Sequence, residues 1–109
     1  MIVLSPDPRA GVKTTETGLR NIHRKGGPDG RIFVSVQLCD TIDHSSKRFR
    51  YTIPEGVSMN RAVMVRDTVL KAVEDGIVPN WDSLELLRKM ITARLYMLIS
   101  EDMKSALTK

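Results

Sequence analysis

Arg48 and Arg50 stand one residue apart in the stretch Lys47-Arg48-Phe49-Arg50-Tyr51-Thr52-Ile53. Arg31 opens another, Arg31-Ile32-Phe33-Val34-Ser35-Val36-Gln37-Leu38. A guanidinium is a permanent cation with a planar fork of N–H donors. It suits phosphate oxygens and can pair bidentately with guanine, as an amide such as that of Gln37 can with adenine. Phe33 offers a ring for contact with sugar or a thymine methyl. These groups can act together only if they share a surface.

Alternate residues of an extended strand face opposite ways. Ile32, Val34, Val36 and Leu38 therefore point to one side, and Arg31, Phe33, Ser35 and Gln37 to the other. In the following stretch Phe49, Tyr51 and Ile53 oppose Arg48, Arg50 and Thr52. An earlier run, Gly18-Leu19-Arg20-Asn21-Ile22-His23-Arg24, alternates less cleanly, because Leu19 and Ile22 have opposite parity. Turns rich in Gly, Pro, Asp and Ser separate the three runs, at 25–30 and 40–46. A three-stranded antiparallel meander is the simplest connection. The expected binding face is Arg20, Arg24, Arg31, Phe33, Ser35, Gln37, Arg48, Arg50 and Thr52. The competing reading is a solvated sheet face whose long basic side chains only maintain solubility.

Charge distribution favours a polyanion partner. Residues 17–53 hold seven Lys or Arg against three acids, while 58–109 hold eight against seven. The excess positive charge sits on the strands. No cluster of acids or His suits metal-assisted catalysis, and no phosphate-binding glycine loop or nucleophile elbow is present. The expectation is a non-enzyme with no catalytic residues, no metal and no cofactor. His23 reads as a polar strand residue, His44 as a turn residue, and the single Cys39 as structural. No apolar run approaches the ~20 residues of a membrane span, so an intracellular, cytoplasmic or nucleoid-associated protein is expected.

The 109 residues fit one domain. Residues 1–16, broken by Pro6 and Pro8, read as a flexible N-terminal arm. Residues 17–76 read as the sheet plus a helix that starts at Ser58 as N-cap and stops at Gly76, with Ala62, Val65, Val69 and Val73 on one face. Residues 80–107 read as a long C-terminal helix with two apolar stripes. Leu84, Leu87, Ile91, Leu95 and Leu98 would close the core; Leu86, Met90, Ala93 and Met97 would meet a second copy in a homodimer or wrap a broad core. The fold class is α+β: a three-stranded antiparallel sheet packed on a helix, followed by the long helix.

The motifs Thr17-Gly18-Leu19-Arg20, Gly30-Arg31-Ile32-Phe33-Val34, Lys47-Arg48-Phe49 and Asn60-Arg61-Ala62-Val63 carry a resemblance. Over residues 17–73 the chain resembles the Apetala/ethylene-response-factor type DNA-binding domain of plants. The related arm-binding domain of phage tyrosine integrases is similar too. The resemblance implies a three-stranded sheet laid in the major groove with the helix behind it. Arg20 then matches the first-strand Arg that contacts DNA, and Arg48 a third-strand Arg. Ser35 and Gln37 fall where the family has Glu and Arg, and Arg50 where an aromatic is common. Tyr51-Thr52-Ile53 replaces the usual Gly of the third strand.

Together these readings lead to an expected function: sequence-selective binding of double-stranded DNA, regulatory in role and phage- or mobile-element-derived. Two alternatives stay open. One is a small protein-interaction module, such as a phage-type inhibitor of a host protein, working through the C-terminal helix. The other is RNA or single-strand binding, or a structural nucleoprotein role, with Phe33 as a stacking platform.

Overall fold

The computed structural model describes residues 1–5, 19–25 and 30–107. A ten-residue strand, β3 (Arg31–Asp40), organises an antiparallel sheet. Strand β4 (Ser46–Thr52) runs along one of its edges in the register Ser35↔Arg50 and Gln37↔Arg48. Two short strands share the other edge, laid end to end. β2 (Ile22–Lys25) pairs with Arg31–Val34, and β1 (Ile2–Leu4) pairs with Leu38–Asp40. Helices α1 (Met59–Glu74) and α2 (Ser83–Leu107) complete the α+β fold.

Strand β1 corrects the expected arm and makes the sheet four-stranded. Ile2-Val3-Leu4 is a β-prone run, and β3 extends far enough past β2 to offer it an edge. Ile2 is fully buried, its N–H donates to the Val78 carbonyl at 3.1 Å, and the Met1 carbonyl accepts from the Thr41 N–H at 3.1 Å. Burying one such side chain is worth roughly 1.5–3 kcal/mol, which together with these hydrogen bonds offsets the cost of ordering a three-residue strand. Residues 6–16 of the expected arm lie outside the described residues.

The strand expected from Gly18 begins at Ile22 instead. Leu19, Arg20 and Asn21 form a turn in which the Ile22 N–H donates to the Leu19 carbonyl at 3.3 Å. Asn21 takes φ 64°, a left-handed conformation that Asn tolerates better than most residues. The turn accounts for the mismatched parity: Leu19 packs against the core from outside the strand and Ile22 from within it.

α1 follows the sequence closely. The Ser58 hydroxyl accepts from the Arg61 N–H at 3.4 Å. Ala62, Val65, Val69, Ala72 and Val73 are buried. At the other end, Gly76 takes φ 74° and donates its N–H to the Val73 carbonyl. The core joins this face to Val34, Val36, Leu38, Phe49, Tyr51 and Ile53 of the sheet side.

The start of α2 is capped by Asn80, whose side-chain oxygen accepts from both the N–H and the hydroxyl of Ser83 at 3.1 Å. Leu87, Ile91 and Leu95 are buried, as expected of the core stripe, with Leu84 and Leu98 half-buried beside them. The helix also braces β4. The Tyr51 hydroxyl pairs with Thr92 Oγ1 at 2.8 Å, and the Arg88 guanidinium lies over the Phe49 ring, 4.9 Å from its centre. Further along, Arg61 of α1 grips Asp102 through two N–H···O bonds of 2.6 and 3.1 Å. No helix among the described residues is long and apolar enough to cross a membrane.

Candidate nucleic-acid interface

The sheet buries the face turned to the helices and leaves the other outward. On β3 the outward positions are Arg31, Phe33, Ser35 and Gln37, and on β4 they are Arg48, Arg50 and Thr52. Arg31, Arg48, Arg50 and Thr52 are exposed, and Phe33 and Gln37 are half-buried. Among the described residues of the strands, no carboxylate shares this parity. Asp40 falls on the opposite one, and Asp43 lies in the β3–β4 turn. The Asp43 carboxyl is held below its usual pKa by bonds from the Ser45 hydroxyl and N–H. It is therefore a fixed anion at the rim of an otherwise cationic face.

Cross-strand contacts fix the functional groups on this face. Arg48 Nε donates to Gln37 Oε1 at 3.2 Å. The Gln37 amide donates in turn to the Ser46 hydroxyl, which donates to the Leu38 carbonyl at 3.2 Å. This chain aims the Gln37 amide and the Arg48 fork together. Arg50 lies 3.9 Å from the centre of the Phe33 ring, a close cation–π contact. Phe33 also stacks against His23 of β2, with ring centres 5.3 Å apart and 21° between planes. The ring thus stands between His23 on one neighbouring strand and Arg50 on the other.

Three expected site residues fall elsewhere or are closed off. Ser35 has the outward parity but is only 4% exposed. Asn21 clasps its backbone: the Ser35 N–H donates to the Asn21 carbonyl at 2.9 Å, and Asn21 Nδ2 donates to the Ser35 carbonyl at 3.0 Å. Ser35 therefore cannot reach a groove without rearrangement. Arg24 pairs with Ile32 and shares its parity, which places it on the face opposite Phe33. There it borders an open cleft of about 360 Å³ with Gly30, Arg31, Ile53, Pro54 and Glu55. Arg20 is exposed in the turn before β2, where its carbonyl accepts from Arg66 of α1 at 3.1 Å.

His23 is the functional candidate that strand parity alone did not single out. Its partner is set by the β2–β3 register, His23↔Phe33, which depends on the turn at Asn21. Lys47 has the core-facing parity and lies over the Trp81 ring at 5.3 Å, so it serves the junction with α2. Among the described residues, no group of three or more His, Cys, Asp or Glu is placed to hold a metal ion. The geometry offers permanent cations, one aimed amide and an aromatic spacer on a shallowly relieved sheet. Comparison with known proteins finds no matching family model, no matching curated protein and no matching solved structure.

Proposed function

We propose that the chain is a sequence-selective double-stranded DNA-binding protein that lays its outward sheet face along the major groove. The carrying observation is that Arg31, Arg48, Arg50 and Gln37 share one sheet face on which the described strand residues place no carboxylate. Arg31 and Arg50 hold phosphates, while the linked Arg48–Gln37 pair is the group best prepared to read base edges. A regulatory role in a phage or mobile-element setting rests on the resemblance alone.

Duplex DNA is preferred over single strands because the Phe33 ring is already held between His23 and Arg50, which limits its use as a stacking platform. The second reading, a module that captures a host protein, is favoured by the exposed Leu86, Met90 and Met97 on α2. The deciding experiment is a fluorescence-anisotropy titration of a DNA duplex enriched from a random pool, repeated over a series of salt concentrations. Arg48→Ala with Arg50→Ala should weaken binding, relax the sequence preference through the lost base contact of Arg48, and reduce the log–log salt slope by about 1 through the lost phosphate contact of Arg50. Unchanged affinity in that double variant would sink the sheet-face reading.

A further inference from the structure

Leu86, Met90, Tyr96 and Met97 on α2 are each more than half exposed, and Ala93 is exposed among them. Leu86, Met90, Ala93 and Met97 are spaced 4-3-4, the spacing of a coiled-coil seam. They lie about 130° around the helix from Ile91, at ~100° per residue, and so point away from the core. We infer that this stripe pairs with the same stripe of a second copy, antiparallel, to give a dimer whose two Arg faces point outward and hold two separate duplexes.

Register and charge select this occupant and its direction. With the two-fold axis between Ile91 and Thr92, Leu86 meets Met97 of the second copy and Met90 meets Ala93, large against small. Shifting the helices by one seam layer one way brings Ser100 and Lys104 into the seam opposite Met90 and Leu86; shifting them the other way sets Ala93 against Ser83 and leaves Met97 beyond the start of the facing helix. A parallel pair would bring Lys89 beside Arg94 of the second copy, two like charges at flanking positions. The antiparallel pair instead brings Lys89 toward Tyr96, a cation–π arrangement. At about 200 Å² per large side chain, the exposed parts of Leu86, Met90 and Met97 together with the flanking Tyr96 come to roughly 500 Å² per copy. That reaches the ~1,000 Å² total at which specific interfaces begin, so the dimer is reversible.

The arrangement of layers gives the functional consequence, which rests on the DNA reading above. The helices cover one side of the sheet and the Arg face is the other side. Joining two copies through α2 turns both Arg faces away from the seam. Such a dimer bridges two DNA segments, where a dimer joined beside the sheets would clamp one.

The test uses the full chain with Cys39→Ser, so that introduced thiols are the sole ones. Leu86→Cys protein mixed with Met97→Cys protein should form a disulfide-linked pair in a glutathione redox buffer. Neither variant alone should, because its thiols would lie about 16 Å apart along the seam at 1.5 Å per residue. Self-linking of each variant with no mixed product indicates parallel pairing and overturns the inference, as does the absence of any linked product. Wild-type protein on a bead-bound mixed-sequence duplex should then retain a second, labelled duplex, and Met90→Glu protein should bind the first but not the second. Retention of the second duplex by Met90→Glu protein, or its loss by wild-type protein that still binds the first, overturns the bridging role. Crosslinking with no binding of either duplex would overturn the DNA reading and leave the pairing intact.

Discussion

The outward sheet face and the outward side of α2 are both exposed, yet they are built on opposite principles. The sheet face is polar, and neighbouring strands hold its side chains: Arg48 through Gln37, and Arg50 through Phe33 and His23. The α2 stripe is apolar, and its helix is held from behind, by Leu87, Ile91 and Leu95 and by the Arg61–Asp102 pair. A polar surface is stable in water without a partner. A row of exposed Leu and Met on a helix that already has a buried row invites a partner. The difference separates a face whose side chains are fixed within the single chain from one whose large apolar side chains are left exposed.

The largest effect tests the two sides of α2 against each other. Leu95→Ala should cost about 3 kcal/mol in urea unfolding, because it leaves a cavity under the helix. Met97→Ala, two residues away on the exposed side, should change stability of the dilute protein by less than ~0.5 kcal/mol. Equal losses would mean that the stripe is core after all. Next comes the support of the sheet face. Asn21→Ala should cost about 1–3 kcal/mol, since it forces Ala into a left-handed conformation and releases the Ser35 carbonyl. Asn21→Gly relieves the backbone strain but not the lost bond, so it should fall between wild type and Ala.

Smaller effects probe how firmly each region is fixed. Arg50→Ala should cost about 0.5–1 kcal/mol through loss of the Phe33 contact, with a change in the His23 and Phe33 ring resonances in NMR spectra. An unchanged spectrum would mean that the face is not pre-arranged. The smallest effect belongs to the far end of α2. The Asp102 carboxyl is held below its usual pKa by its bond from Arg61. That contribution is therefore present above about pH 4 and lost as the pH falls through the lowered value. Asp102→Asn should speed amide exchange over residues 98–107 at neutral pH and abolish the acid-induced fraying expected of the wild type. The exchange of Leu87 and Ile91 should not change.

Much of this molecule is legible in the chain because local signals agree with the fold. Ser58, Gly76 and the Ala62/Val65/Val69/Val73 spacing are sufficient for α1, and strict alternation is sufficient for β3 and β4. The departures occur where tertiary context decides. β1 is three residues long, and nothing in Ile2-Val3-Leu4 reveals that the far half of β3 leaves an open edge. Arg24 reads as part of a basic face until Asn21 turns the chain and resets the parity of β2. Ser35 alternates with the polar set, yet Asn21 closes over it; parity assigns a side of the sheet, not access to solvent. His23 and Phe33 meet because of a register that depends on the same turn.

Among the described residues strand β4 is bonded to β3 alone, and none of them pairs with its other edge. Such an edge is a template on which another chain can zip, and Lys47, Arg48 and Arg50 line it with like charge. The cations that would attract a polyanion therefore also act as gatekeepers against edge-to-edge aggregation. Neutralising them would sacrifice colloidal stability, and the same charges disfavour pairing of two copies through this edge.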